Sequence, residues 1–207
     1  KRMVQTLQAQ NITLRDLINK FSIELVDQPQ FFLEWQENLP DLSDSEKNFL
    51  DRVREGFLNL VTYPSLLEKS IQLAVISPIF FLAGFFLPPF HIRAEQSIAI
   101  EVEDEDEIIR GQLDIVLLKQ NFWVMVIESK KASFSIEEGL GQLLAYMLAS
   151  PHPEKPGFGL ITSGAEFIFV KLVQADVPQY GTSKLFGIRS REDFYQVYRI
   201  LKHISQL

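Results

Sequence analysis

Residues 111–118 read GQLDIVLL and residues 122–130 read FWVMVIESK. The second stretch is almost continuously apolar up to its end, which is typical of a central strand buried on both faces of a sheet. Charged residues interrupt the two apolar patterns at Asp114, Glu128 and Lys130. Because burying a charge without a partner is costly, these three residues are candidates for a functional site.

The spacing of these residues predicts that they share one face of a sheet. Residues two apart on a strand point the same way, so Glu128 and Lys130 lie on one face and Ser129 on the other. Asp114 reaches that face if the two strands are neighbours. Two carboxylates beside an ammonium group suit a divalent cation and a polarised water, the components of phosphodiester hydrolysis. The alternative is a structural Glu–Lys pair that caps the end of a strand.

The flanking sequence predicts a mixed α/β fold. Residues 91–102 alternate as a strand does and precede an acidic turn, after which GQLDIVLL returns as the partner strand. Ser135 and Glu138 form a capping box that opens a helix, on which Gln142 and Tyr146 lie four residues apart on one face. The remaining expected elements are strands at 158–162, 166–172 and 185–188 and a closing helix at 190–204.

The first part of the chain predicts helices. Thr13 caps a short helix that reaches Asn19, and the sequence from Ser43 to Glu46 is a capping box that opens a second helix. Tyr63-Pro64 ends the second helix, and a third is expected from Ser65 to about Ser77. We therefore expect an N-terminal helical segment at 1–62 and an α/β domain at 63–207.

Composition limits the chemistry that the chain supports. The 207 residues include no cysteine, and the three histidines have unrelated spacings, which argues against a zinc site. A bound metal would therefore have oxygen ligands, as Mg²⁺ or Mn²⁺ does. The net charge of −7 is not that of a typical DNA-binding protein, although basic residues between Lys130 and Lys202 leave room for a local basic face.

One apolar run, LAVISPIFFLAGFFL at residues 73–87, is shorter than the roughly 20 residues that a membrane-spanning helix needs. Pro78 and Gly84 also interrupt it, so a buried helix followed by an irregular segment is expected. The N-terminal residues show no secretory pattern. We therefore expect a cytoplasmic protein with no membrane contact.

The ordered set Asp114, Glu128-Ser129-Lys130, Gln142 and Tyr146 resembles the PD-(D/E)XK nuclease superfamily. The similarity spans roughly residues 65–172, and it is strongest to the nuclease domain of type I restriction-enzyme R subunits and to RecB-like nucleases. The resemblance implies a restriction-endonuclease-like mixed sheet flanked by helices.

The resemblance also implies a catalytic set and a metal site. Asp114, Glu128 and Lys130 would be catalytic together with Gln142 and Tyr146, whose helix would line the active site and contact DNA or orient the lysine. The implied ligands of Mg²⁺ or Mn²⁺ are Asp114, Glu128, Ser129 and an additional acid. Glu68 matches the additional acid on the leading helix of the family, and Glu95 on the first strand competes with it.

The implied function is a stand-alone, divalent-metal-dependent DNA endonuclease. It would act as a homodimer if it makes double-strand breaks, and its partner could be a helicase or another restriction-system subunit. The sequence has no P-loop, so the helicase motifs of type I motor subunits are missing from it. The alternative is a catalytically inactive nuclease-fold protein that binds nucleic acid or a protein. A third hypothesis is an unrelated α/β binding protein.

Overall fold

The computed structural model describes residues 5–62, 68–102, 107–119, 122–129 and 136–207. Within these ranges only the backbone is described at some positions, chiefly Glu68, residues 122–129 and residues 136–138.

The described residues form a mixed α/β protein built on one nine-stranded sheet. Its strands are β1 (Gln5–Gln8), β2 (Glu24–Leu25), β3 (Phe90–Val102), β4 (Glu107–Lys119), β5 (Phe122–Ser129), β6 (Gly157–Thr162), β7 (Glu166–Val173), β8 (Gln179–Thr182) and β9 (Phe186–Gly187). Their order is β1-β4-β5-β6-β7-β8-β2, while β3 pairs with β4 and β9 pairs with β7. The predicted hairpins β3–β4 and β6–β7 and the central position of β5 are confirmed.

Six α-helices flank this sheet in the described part of the chain. They are α1 (Leu14–Phe21), α2 (Asp44–Leu60), α3 (Glu68–Ile71), α4 (Ser77–Leu82), α5 (Ile136–Leu148) and α6 (Arg191–Gln206). The predicted caps form at Thr13 and Ser43, where each side chain accepts a hydrogen bond from the backbone N–H three residues later. None of these helices is both long enough and apolar enough to cross a membrane.

The helices cover both faces of the sheet and enclose two hydrophobic cores. The first core packs α2, α4 and α6 against one face, and the second packs α1 and α5 against the other. Side chains of strand β6 alternate between the two faces: Phe158 and Leu160 belong to the first core, and Ile161 belongs to the second. We call these faces the α6 side and the α5 side.

The helix predicted to end at about Ser77 instead continues to Leu82. Pro78 has no N–H to donate, and its ring would clash with a carbonyl oxygen in a regular α-helix. A π turn (Gln72–Ile76) links α3 to α4, and there the Ser77 N–H donates to the Gln72 carbonyl five residues earlier. Because a π turn widens the helix locally, it accommodates the proline without ending the helix.

The N-terminal segment is not wholly helical, because it supplies β1 and β2 to the sheet. Residues of this segment also belong to both cores: Phe57 lies in the first and Leu17 in the second. A domain boundary near residue 62 stays a prediction.

A polar network joins α2 to α6. Lys202 Nζ lies 2.6 Å from Glu46 Oε1, and the Tyr198 hydroxyl donates to the same oxygen at 3.0 Å. Burial opposes ionisation of Glu46, but hydrogen bonds from Lys202, Ser43 and Tyr198 outweigh it and lower the Glu46 pKa to about 2. Glu46 therefore stays charged when the protein is folded, both as a helix cap and as the partner of Lys202.

Candidate functional site

A hydrogen-bonded chain connects α5 to β4 on the α5 side of the sheet. Gln142 donates from Nε2 to the Tyr146 hydroxyl at 2.7 Å, and that hydroxyl donates to the Gln112 carbonyl oxygen at 2.9 Å. Gln142 and Tyr146 are 7% and 1% exposed. The prediction that the two residues share a helix face is confirmed. Gln112 lies two residues before Asp114. These two hydrogen bonds therefore fix α5 against the part of β4 that contains Asp114.

Two glycines allow the backbone to approach this chain closely. A Cβ on Gly111 would lie 2.7 Å from Tyr146 Cε1, so the tyrosine ring packs directly on the β4 backbone. A Cβ on Gly141 would lie 2.6 Å from the Ile12 carbonyl oxygen and 2.8 Å from the Leu14 nitrogen, at the start of α1. Gly141 is therefore a site of close packing between α5 and the start of α1.

Asp114 lies next to the last residue pair in the β4–β5 ladder. That pair joins Ile115 to Ile127, so Asp114 on β4 and Glu128 on β5 occupy the next position along the two antiparallel strands. The Asp114 side chain is half-buried. Glu128 is itself paired with Ile161, a residue of the core on the α5 side. The register therefore brings the backbone positions of Asp114 and Glu128 together.

Near Asp114, in the β3–β4 hairpin, side chains no longer alternate regularly between the two faces of the sheet. Ile109 belongs to the core on the α5 side, whereas Ile115, six residues later, packs against the core on the α6 side. An even spacing on an undisturbed strand would place both on one face. Opposite Asp114, Glu95 has a φ of 53°, a left-handed conformation that is uncommon for a residue with a side chain.

The Gln112 side chain supports this irregular position by donating from Nε2 to the Glu95 carbonyl oxygen at 3.2 Å. Gln112 thus contacts β3 through its side chain and α5 through its backbone carbonyl. The sequence analysis did not identify Gln112. A backbone acceptor has no side-chain signature, and only the neighbouring Gly111 hinted at a close approach.

Several predicted site residues lie partly or wholly outside the described side chains. Lys130 lies outside the described residues. For Glu128, Ser129 and Glu68 the backbone is described: Ser129 pairs with Thr162, and Glu68 begins α3. Glu95 is exposed, and its backbone position is opposite Asp114. The roles of these residues as ligands or catalysts stay predictions.

Among the side chains that the structure describes, no three His, Cys, Asp or Glu residues form a group able to hold a metal ion. The Glu128 side chain is not among those described, so this absence does not extend to the pair of Asp114 and Glu128. Asp114 and Glu128 carry carboxylate oxygens, and the chain has no cysteine to supply sulfur. Such a donor set suits a hard divalent cation.

Comparison with known proteins does not extend these observations. The sequence matches no known protein-family model, and a search of curated proteins finds no match either.

Proposed function

We propose that this protein is a divalent-metal-dependent DNA endonuclease with a restriction-endonuclease-like fold, which hydrolyses phosphodiester bonds. The main support is the β4–β5 register, in which Asp114 and Glu128 take adjacent positions next to the pair of Ile115 and Ile127. These acids come from two central strands that are apolar in sequence. A charged pair in that setting is costly unless it binds a cation or another partner.

The proposed chemistry assigns different tasks to the residues. Asp114 and Glu128 would hold Mg²⁺ or Mn²⁺ through carboxylate oxygens. Glu68 is a further candidate ligand, and Ser129 would contribute through its backbone carbonyl because its side chain is expected on the opposite face. When bound, the cation would neutralise phosphate charge and lower the pKa of a coordinated water. Lys130, two residues after Glu128, would stabilise the charge that develops on the phosphate or orient the attacking water.

Gln142 and Tyr146 would act by positioning the Asp114 strand. Their hydrogen-bonded chain ends on the Gln112 carbonyl, and the tyrosine ring packs against Gly111. Precise placement of ligands matters because shifts of about 1 Å in a catalytic group can reduce rates by roughly 100-fold. Gln142 is also buried on the side of the sheet proposed for the site.

The proposal is tested by nicking of supercoiled plasmid in Mg²⁺ or Mn²⁺. The wild-type protein should nick DNA, and EDTA should abolish nicking. Asp114→Asn and Lys130→Ala should each reduce the rate by at least about 100-fold, since they remove a ligand and a charge-stabilising group. Asp176→Asn is a matched control, because Asp176 is an exposed turn residue. It should nick at the wild-type rate.

A wild-type protein without metal-dependent nicking would contradict the proposal. Equal nicking by wild type, Asp114→Asn and Lys130→Ala would also contradict it, because the activity would then come from elsewhere or from a contaminant. Circular dichroism of every variant distinguishes a loss of activity from a loss of folding.

The second candidate function is a catalytically inactive nuclease fold that binds nucleic acid or a protein partner. The net charge of −7 favours it, since extensive phosphate contacts usually need a basic surface. Fluorescence anisotropy with a labelled DNA duplex separates the two. Binding in EDTA that Asp114→Asn leaves unchanged, with no nicking in Mg²⁺ or Mn²⁺, would favour the inactive binding protein.

A further inference from the structure

The helical segment from Ile71 to Leu82 and the turn after it carry large apolar side chains on the side that faces solvent as well as on the buried side. Ile71, Val75, Ile76 and Ile79 are fully buried in the first core. Four other large apolar side chains are exposed: Leu73 by 74%, Phe81 by 66%, Phe86 by 50% and Leu87 by 60%. A helix that is hydrophobic all round is normally covered on all sides.

The π turn brings two of the exposed residues onto one line. In a regular α-helix, residues eight positions apart such as Leu73 and Phe81 differ by about 80° around the axis. A π turn holds one additional residue in the same turn. The angle between Leu73 and Phe81 around the axis therefore falls to that of residues seven positions apart, about 20°. The hydrogen bond from the Ser77 N–H to the Gln72 carbonyl marks this turn.

The turn after α4 adds the other two residues to the same surface. Gly84 has a φ of 84°, a left-handed conformation that reverses the chain direction at the end of the helix. The chain then brings Phe86 back to Phe81, with their ring centroids 6.2 Å apart. Leu87 follows and donates its N–H to the Gly84 carbonyl at 3.0 Å. We call Leu73, Phe81, Phe86 and Leu87 the apolar ridge.

We propose that the apolar ridge is the centre of a two-fold interface with a second copy of this chain. The area of the ridge supports this occupant. A fully exposed side chain of this size presents about 200 Å², so the four exposed fractions amount to roughly 500 Å². A standard interface buries about 800 Å² per partner, of which about 65% is apolar in homodimers, again roughly 500 Å².

Charge also distinguishes a second copy from a membrane surface. Residues 70–90 contain no Asp, Glu, Lys or Arg, so the centre of the interface has no charge to desolvate. Two copies of a chain with net charge −7 associate most readily through such a neutral patch. A membrane-surface helix typically has Lys and Arg beside its apolar face, and anionic lipids repel an acidic protein.

The test is sedimentation equilibrium of the full chain between about 1 and 100 μM, the range in which a moderate dimer dissociates. The wild type should reach twice the mass of the chain. Phe81→Glu should raise the dimer Kd by at least about 100-fold, because the substitution introduces a charge into both copies of the interface. Leu73→Glu should do the same through an independent position on the ridge.

Leu25→Glu is the matched control. Leu25 is 59% exposed on β2, which lies at the opposite end of the strand order from β1. The Leu25→Glu variant should dimerise as the wild type does. A monomeric wild type at about 100 μM would overturn the proposal, as would unchanged dimerisation of both ridge variants or an equal loss in Leu25→Glu. A monomer that cosediments with neutral phosphatidylcholine vesicles, and does so less as Phe81→Glu, would assign the ridge to a membrane instead.

Discussion

Two helical glycines should respond in opposite directions to the same substitution. Alanine is favoured over glycine in a helix interior by about 1 kcal/mol. Gly56 in α2 has nothing within 4 Å of an added Cβ, so Gly56→Ala should stabilise the protein by about that amount. At Gly141 the new Cβ would lie 2.6 Å from the Ile12 carbonyl oxygen. An ordinary contact there needs about 0.8 Å more, so α1 and α5 must move apart.

Overpacking of this kind costs about 1 to 3 kcal/mol, and backbone atoms yield less readily than side chains. Because the obstructing atoms are backbone, we take the upper part of that range, about 2 to 3 kcal/mol; after the gain in helix propensity, Gly141→Ala should destabilise the protein by about 1 to 2 kcal/mol. For a chain of this length the midpoint of thermal unfolding should fall by roughly 2 to 8 °C, whereas Gly56→Ala should raise it by roughly 2 to 4 °C. Thermal unfolding followed by circular dichroism measures both. A rise for Gly141→Ala would refute the close packing of α1 on α5.

Substitutions at three further positions test the Gln142–Tyr146 hydrogen bonds, the network between α2 and α6, and the β3–β4 hairpin. Tyr146→Phe should lower the free energy of unfolding in urea by about 1 to 2 kcal/mol, because it removes hydrogen bonds without changing the core volume; an unchanged value would exclude a structural role for the hydroxyl. The Glu46 pKa is about 2 when folded and 4.5 ordinarily, despite the opposing effect of burial, because Lys202 and other hydrogen-bond donors stabilise the carboxylate. The resulting stability, on the order of 2 kcal/mol, is present above pH 4.5 and lost as the pH falls towards 2, so Glu46→Gln should flatten the acid limb of stability against pH. Glu95→Gly should be more stable than Glu95→Ala by about 1 kcal/mol, since glycine adopts a positive φ without strain; equal stabilities in urea would argue against that backbone conformation.

The elements that the sequence predicts well have a local physical cause. Thr13, Ser43 and Ser190 each accept a hydrogen bond from the backbone N–H three residues later. A residue with a side-chain oxygen just before a helical pattern predicts such a cap. The apolar run of β5 predicts a central strand because a strand buried on both faces needs apolar residues at every position. These signals need no knowledge of the rest of the fold.

The elements that the sequence does not predict depend on distant partners. Strand β1 reads QTLQ and is defined by its pairing with residues 107–110 of β4, about a hundred residues away. Strand β2 has two residues and depends on β8 in the same way. Short polar strands have neither alternation nor a strong propensity, so their tertiary context determines them. The continuation of the helix past Pro78 similarly depends on the π turn, which has no sequence signature.

The same dependence on context decides on which face Asp114 lies. Counting alternate residues from Ile109 in the core on the α5 side would place Asp114, five residues later, on the α6 side. Counting back from Val116, also in the core on the α5 side, places Asp114 on the α5 side with Tyr146. The two counts disagree because alternation reverses between Ile109 and Val116, close to Asp114 and opposite the left-handed Glu95. A period of two in the sequence therefore predicts the strand but cannot predict this face.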